Sequence, residues 1–147
     1  MMRRVCLVAL LLTTCGCGGA ETQGSLPETV PATGVVKLNG KPLPFASVMF
    51  IPQGATKGIE CIGSTDESGM YSLKQIRGGD GAPPGEYKVV ISRFLKPDGQ
   101  PLSPGEPPAN VMATESLPAV YSDVTVSRLT ASIPATGGEF PFDLKSR

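Results

Sequence analysis

Few residues in this sequence could do chemistry, and histidine is absent from all 147 positions. Serine–histidine–aspartate and cysteine–histidine catalysis, histidine acid–base chemistry and histidine-ligated zinc are therefore excluded. The remaining candidates are carboxylates, lysines and four cysteines. Their arrangement indicates no catalytic group and no cofactor or metal site, so we predict a protein that is not an enzyme.

The acidic side chains are scattered along the chain. Calcium needs about six to eight oxygen ligands from closely spaced residues. No segment carries three acidic residues at alternating spacing, so we interpret five candidates as solvated turn carboxylates: Asp66, Glu67, Asp80, Asp98 and Asp123. An enzyme that uses carboxylates would need two of them roughly 5–9 Å apart in one pocket. Lys+Arg and Asp+Glu number 13 each, so no net charge directs the chain toward nucleic acid.

The N-terminus has the layout of a secretory signal, with basic, then apolar, then small residues. Residues 1–4 carry two arginines, residues 5–12 are VCLVALLL, and residues 13–20 are TTCGCGGA. The apolar run of eight residues is well short of the roughly 20 that a membrane-spanning helix needs. We therefore expect export with signal cleavage and no permanent transmembrane anchor.

The cleavage region resembles the lipobox of bacterial lipoproteins, in which a small residue precedes the lipid-acceptor cysteine. Cys17 follows Gly16 and fits this pattern. Cys15 follows Thr14 and is the alternative acceptor. An ordinary signal peptide cut after Ala20 is a further alternative.

The lipoprotein resemblance implies that Cys17 carries a thioether-linked diacylglycerol and an N-acyl chain such as palmitate. Two or more chains anchor a protein stably, since each buried methylene contributes ~0.8 kcal/mol. The next residue is Gly18 and not Asp, which by the same resemblance does not favour retention in the inner membrane. The predicted location is the bacterial cell envelope, on the outer membrane or facing the periplasm.

This assignment leaves one thiol in the mature protein. Cys6 and Cys15 leave with the signal, residues 1–16, and Cys17 is lipidated. Cys61 is then unpaired, so no structural disulfide is expected, and its strand-like surroundings predict a small core residue. Residues 20–32 are polar, with two prolines and no periodicity. We therefore assign residues 17–32 to a flexible tether.

From residue 33 to residue 147 apolar and polar residues alternate, which is the strand signal. About seven short strands predict one all-β domain, an antiparallel β-sandwich. Val90 is expected to face solvent, and Pro141 places the last strand at a sheet edge. The residues predicted to face inward are Ala46, Val48, Phe50, Ile59, Cys61, Tyr71, Leu73, Tyr87, Val89, Ile91, Leu129, Ala131, Ile133, Phe140, Phe142 and Leu144.

Turn signals separate these strands. An aspartate caps its own backbone and a glycine supplies positive φ. Asn-Gly at residues 39–40 is a strong turn signal, but Pro42 and Pro44 follow it, so a simple two-strand hairpin is not expected. The predicted structural turn residues are Asn39, Gly40, Asp66, Gly69 and Gly85.

Three segments occur in the order found in one family: residues 33–52 (TGVVKLNGKPLPFASVMFIP), residues 65–73 (TDESGMYSL) and residues 84–91 (PGEYKVVI). The chain resembles the carboxypeptidase regulatory-like domain, a transthyretin-like β-sandwich. Its tail, residues 117–144, resembles the ends of small bacterial lipoproteins of this kind. The resemblance implies an immunoglobulin-like Greek-key fold and a role as a stability or interaction unit.

Two activities of related sandwiches are not expected here. Transthyretin-like hydrolases of purine breakdown use histidines and a C-terminal Tyr-Arg-Gly-Ser, whereas this chain ends in Leu-Lys-Ser-Arg. Some cell-surface relatives crosslink a lysine of the first strand to the last strand, for which Lys37 and Asp143 are the candidates. Both alternate with apolar neighbours, so we interpret them as solvated charges.

The segment 94–117 is long, carries five prolines and shows little periodicity. Such segments are usually functional or disordered, so a flexible insertion and an interaction loop both stay open. We predict a lipid-anchored, structural or protein-interacting module, with envelope proteins or polysaccharide as partners. The alternative is a carbohydrate-binding module, although aromatics are only 5% of residues and Trp is absent.

Overall fold

The computed structural model describes residues 26–103 and 105–146, which are mostly β as predicted. A 3-10 helix (Pro108–Val111) and a one-turn helix, α1 (Ala119–Ser122), lie in the second half. None of these described helices is long and apolar enough to cross a membrane. The predictions for Cys6, Cys15 and Cys17 lie outside the described residues.

The strands are β1 (Ala32–Leu38), β2 (Lys41–Pro42), β3 (Ser47–Pro52), β4 (Cys61–Ser64), β5 (Met70–Ser72), β6 (Lys74–Gln75), β7 (Gly85–Ser92), β8 (Phe94–Leu95), β9 (Thr114–Glu115), β10 (Leu129–Ile133), β11 (Gly138–Glu139) and β12 (Phe142–Leu144).

Two five-stranded sheets contain most of these strands. In the first sheet, β1 pairs antiparallel with β5 and β2, and parallel with β11 and β12. The second sheet has the order β10-β7-β3-β4-β6 and is antiparallel throughout. Strands β8 and β9 form a separate two-stranded ladder.

Antiparallel sheets are present as predicted, but the structure departs from about seven antiparallel strands in two respects. The described residues form twelve strand segments, because several continuous stretches are interrupted or change sheets. The last stretch also runs parallel to β1: Ala32 lies opposite Gly138 and Val36 opposite Phe142, in one register. Alternation of residue types indicates which face is buried but carries no information about strand direction.

Pro141 interrupts this last strand between β11 and β12. The backbone N–H of Phe140 donates to the carbonyl oxygen of Thr33 at 2.8 Å. Successive N–H groups of a strand alternate in direction, so the backbone nitrogen of Pro141 points away from β1. On that side the strand needs no hydrogen-bond donor. Strand β12 pairs with β1 alone, so its predicted place at a sheet edge is confirmed.

Side chains from both sheets meet in one core centred on Phe50, which has no exposed surface. Its ring centroid lies 6.5 Å from that of Tyr71, 5.7 Å from Tyr87, 6.1 Å from Phe140 and 6.2 Å from Phe142. The predicted inward-facing residues are buried, except that Ile59, Leu129 and Phe140 are half-buried.

Val90 departs from the predicted alternation. It was expected to face solvent, but only 9% of its surface is exposed. The short helix α1 packs against β7, the strand that carries Val90. A strand covered on both faces loses its alternating pattern.

The predicted tether is not free of the domain over its whole length. Val30 and Ala82 exchange two backbone hydrogen bonds of 3.0 Å, and the Thr29 hydroxyl donates to the carbonyl oxygen of Asp80 at 2.7 Å. Ala32 has no exposed surface. Residues 27–32 therefore belong to the folded domain, which begins before residue 33 because the alternation of β1 extends back to Val30.

The turn at residues 39–40 joins β1 and β2 as a two-residue hairpin, so the argument against a simple hairpin is wrong. The two φ angles are 54° and 79°, as a type I′ turn requires. Pro42 lies opposite Lys37, and the N–H of Leu43 donates to the carbonyl oxygen of Val36 at 2.9 Å. Hydrogen-bonded and non-hydrogen-bonded pairs alternate along an antiparallel ladder. Pro42 therefore occupies a position that needs no donor.

Cys61 is a free cysteine with no exposed surface. Burial, with a smaller contribution from the charge of Glu60, raises the pKa of its thiol to about 11. Because the thiolate is the reactive form, we expect the native thiol to react with a disulfide reagent at pH 8 roughly 100-fold more slowly than in urea. The rates are compared in a variant whose other three cysteines are serine. Equal rates would contradict the burial of Cys61.

Candidate functional site

The direction of β3 distinguishes two ends of the domain. At Ser47 it pairs with Ser64 and Ser92, whereas at Pro52 it pairs with Tyr87. A strand of six residues is about 17 Å long, so these two places are well separated. We call the Pro52 end the proximal end, because the chain enters the domain there, and the Ser47 end the distal end.

Three segments close the proximal end, namely residues 26–30, 53–60 and 75–86. The side-chain amide of Gln75 donates to the carbonyl oxygen of Pro27 at 3.4 Å. A side chain added at Gly58 would lie 3.1 Å from both Pro27 and Pro83. A groove of about 660 Å³ lies between the segments and is lined in part by Pro27, Pro83 and Pro84.

The segment 94–117 folds onto the distal end. Strands β8 and β9 pair and so join the two ends of the segment. Between them, Lys96 Nζ lies 2.9 Å from Glu106 Oε2, and the N–H of Lys96 donates to the carbonyl oxygen of Gln100 at 2.8 Å. The hydrogen bond from Lys96 holds the pKa of the Glu106 carboxyl below its usual range. The described residues of this segment hydrogen-bond to one another, and the flexible insertion and the interaction loop both stay predictions.

The carboxylate of Glu115 attaches the segment 94–117 to β7. It accepts the backbone N–H of Arg93 at 3.0 Å and that of Leu117 at 2.9 Å, and it also accepts the hydroxyl of Ser92. The Ser116 hydroxyl donates to the carbonyl oxygen of Arg93 at 2.7 Å. Leu117 is buried in the core, so the segment is fixed where it leaves β7 and where it returns to the core.

A groove of about 700 Å³ opens at the distal end, between the segment 94–117 and the ends of β3, β4 and β7. We call it the distal groove. Its lining combines apolar side chains with serine hydroxyls: Phe45, Phe94, Leu102, Ser47, Ser64 and Ser92. Phe45 is 47% exposed, and no other aromatic side chain of the described residues is as open to solvent.

The backbone of Phe45 is strained. Its φ of 57° is a conformation that glycine adopts easily and a bulky residue rarely does. Thr65 fixes this turn from within the protein. The Thr65 hydroxyl donates to the carbonyl oxygen of Leu43 at 2.7 Å and accepts the N–H of Ala46 at 2.8 Å. Strain held by buried hydrogen bonds is typical of functional sites, so Phe45 is the residue we single out.

Two substitutions at residue 45 separate its side chain from its backbone strain. Phe45→Ala removes the ring and keeps Cβ, whereas Phe45→Gly removes both. A left-handed conformation costs a non-glycine residue roughly 1–2 kcal/mol. In urea denaturation we therefore expect Phe45→Gly to have the higher free energy of unfolding, by about 1 kcal/mol. The opposite order would contradict the left-handed conformation at this position.

The acidic residues considered as calcium ligands are all exposed; Asp66 and Glu67 share one turn, whereas Asp80, Asp98 and Asp123 lie in three other places along the chain. Asp66 Oδ1 accepts the hydroxyl of Ser68 at 2.6 Å, and Asp123 Oδ1 accepts that of Thr125 at 2.6 Å. These bonds are the main reason that the pKa of each aspartate lies below its usual range. Among the described residues, no group of three acidic, cysteine or histidine side chains could hold a metal ion.

Lys37 and Asp143 lie opposite each other in the pairing of β1 with β12. Both side chains are exposed, so their interpretation as solvated charges is confirmed. Lys145 Nζ lies 3.3 Å from both carboxylate oxygens of Asp143. A crosslink between the first and last strands would need both groups inside the core, and they are outside it.

Two of the predicted turn residues have further roles. Gly85 begins β7 with the predicted positive φ, 151°, and the Thr56 side chain also leaves no room there for a Cβ. Asn39 holds the end of the chain. Its side chain donates to the Ser146 hydroxyl at 2.6 Å and accepts the Ser146 N–H at 3.0 Å, while its backbone N–H donates to Leu144 at 2.8 Å.

No protein-family model, curated protein or solved structure matches this chain.

The alternating pattern of the sequence begins only at Ala46, so it did not point to the distal groove or to Phe45. A signal was present: Pro44 favours the second position of a turn, which places residue 45 at the third position, where positive φ occurs in type II turns.

Proposed function

We propose that this chain is a lipid-anchored, non-enzymatic module of the bacterial cell envelope, with a structural or protein-interaction role. The observation that supports this most is the placement of the two ends. The chain that follows Cys17 enters the domain at the proximal end, where Val30 pairs with Ala82. An anchor at Cys17 would therefore join the domain at the end opposite the distal groove.

We also propose that the two sheets form a transthyretin-like β-sandwich of the carboxypeptidase regulatory-like kind. Support comes from the order of the sequence motifs and from a single core between two five-stranded sheets. The motif Asn-Gly-Lys-Pro-Leu falls on the hairpin between β1 and β2, and the motif Pro-Gly-Glu-Tyr leads into β7.

A protein partner suits the distal groove better than a polysaccharide does. A carbohydrate-binding face needs a row of exposed aromatic side chains, whereas the described residues offer Phe45 with partly covered Phe94 beside it. The lysine of the groove, Lys96, is already paired with Glu106. An apolar anchor next to small hydroxyls fits an uncharged segment of another envelope protein.

Metabolic labelling tests the lipid anchor. Cells that express the full chain with an alkyne analogue of palmitate should label the wild type and Cys15→Ser but not Cys17→Ser. If Cys17→Ser still labels and Cys15→Ser does not, the acceptor is Cys15. If none of the three labels, the proposed lipoprotein is wrong.

Site-specific photocrosslinking tests the interaction role. A photoreactive phenylalanine analogue replaces Phe45, and in a matched control it replaces Met70, which is 57% exposed on the first sheet. We expect an adduct with a defined envelope protein from position 45 in intact cells and none from position 70. Equal adducts from both positions would contradict a specific partner at the distal groove.

A further inference from the structure

We infer that the proximal end of the domain rests on the lipid bilayer through the exposed side chains of Leu26 and Ile76. This inference depends on the proposed anchor at Cys17. It goes further by assigning the face of the domain that meets the membrane.

The length of chain between the anchor and the domain limits their separation. Leu26 follows Cys17 by nine residues, and nine residues of fully extended chain span at most about 32 Å. Residues 27–32 are bound to the domain, so this reach is measured from the proximal end. The proximal end is therefore never more than about 32 Å from the anchored residue, and the distal groove lies at the opposite end of the domain.

The proximal end offers aliphatic side chains to that surface. Leu26 is 42% exposed and Ile76 is 52% exposed. They belong to segments that contact each other, since the amide of Gln75 reaches the carbonyl oxygen of Pro27. Backbone pairing supports the Ile76 turn, because its N–H donates to the carbonyl oxygen of Glu60 at 3.1 Å. Aliphatic side chains held in this way can enter the boundary between lipid headgroups and acyl chains.

The charges of the proximal end indicate what kind of lipid contact this is. The three closing segments carry two cations and four anions: Lys57, Arg77, Glu28, Glu60, Asp80 and Glu86. Such a surface does not attract anionic headgroups, so the contact is apolar and insensitive to salt. A weak contact is enough, because the lipid anchor keeps the domain at high effective concentration beside the bilayer.

Fluorescence quenching by lipid tests this contact. The mature lipidated protein is placed in phosphatidylcholine vesicles with or without brominated acyl chains. An environment-sensitive dye is attached to Ile76→Cys, or in the control to Met112→Cys, which is 77% exposed in the segment 94–117. The thiol of Cys61 is buried and does not compete for the dye. We expect brominated lipid to quench the dye at position 76 roughly twofold or more and to leave position 112 unchanged, in low and in high salt.

Equal quenching at the two positions in vesicle-bound protein would overturn the inference and leave the anchor intact. Quenching at position 76 that disappears in high salt would overturn the apolar nature of the contact. Protein that does not bind vesicles and whose N-terminal peptide carries no lipid would instead overturn the proposed function, and this inference with it. The same measurement with the dye at Leu26→Cys is an independent test, and we expect brominated lipid to quench it as much as at position 76.

Discussion

Replacing Phe50 with alanine should lower the free energy of unfolding by about 3–5 kcal/mol. The ring is fully buried and lies within 6.5 Å, centroid to centroid, of four other aromatic rings. Removing it takes away buried apolar surface, leaves a cavity and breaks four ring contacts that belong to both sheets. Since small domains are stable by about 5–15 kcal/mol, this single change should bring the domain close to unfolding.

The effect is measured by urea denaturation followed by circular dichroism, with Phe45→Ala as the matched control. The control makes the same chemical change at a side chain that is 47% exposed, so we expect it to cost about 1 kcal/mol or less. If the two variants lose the same stability, Phe50 is not the centre of a core that both sheets share.

Gly69→Ala should cost about 2–5 kcal/mol, the second large effect. Gly69 has a φ of 77°, and an added Cβ would lie 2.6 Å from the carbonyl oxygen of Val36 and 3.1 Å from the backbone nitrogen of Leu43. Those two atoms hydrogen-bond to each other at 2.9 Å, and the N–H of Val36 also donates to the carbonyl oxygen of Gly69 at 2.8 Å. The clash is with backbone, which cannot move aside as a flexible side chain can.

Gly40→Ala is the control for this prediction. Gly40 has a φ of 79°, nearly that of Gly69, but nothing lies within 4 Å of a Cβ added to it. Both variants therefore carry the same backbone strain, roughly 1–2 kcal/mol, and differ only in crowding. We expect Gly69→Ala to be the less stable by about 1–3 kcal/mol in thermal or urea denaturation. Equal losses would contradict the close packing of the Asp66–Gly69 turn on the β1–β2 hairpin.

Burial in the second sheet could be predicted from the sequence because alternation is a local property. Val48 and Phe50 on β3, and Tyr87 and Val89 on β7, face the core as their spacing indicates. Strand direction could not be predicted, because the parallel pairing of β12 with β1 joins residues 106 positions apart, as Val36 and Phe142 show. No short-range pattern records such a pairing.

The departures at the N-terminal boundary and at the β1–β2 hairpin both involve proline. At the hairpin, prolines counted against simple pairing; at the boundary, two prolines counted together with the polar, non-periodic composition of residues 20–32. Pro31 lies between Val30 and Ala32, and the strand-like alternation passes through it. Pro42 stands at a non-hydrogen-bonded position of its hairpin. Proline lacks a backbone N–H donor but can still lie in a strand. Its effect on pairing depends on the direction in which the missing N–H would point.

The distal groove could not be derived from the sequence, because three strand ends and the segment 94–117 form it together. Its most informative residue, Phe45, is recognised by its left-handed backbone, for which Pro44 is the one signal in the sequence. The proposed lipid anchor, in contrast, is inferred from the sequence and not from the structure. Cys17 lies outside the described residues, and its proposed role depends on the signal-like N-terminus and on the small residue before it.

The most direct test of the central claim is mass spectrometry of the mature protein's N-terminal peptide, purified from the membrane fraction of expressing bacteria. The account predicts a peptide that begins at Cys17 and carries a diacylglyceryl group and an amide-linked acyl chain. A mature chain that begins at Glu21 without lipid, after cleavage at Ala20, would contradict it.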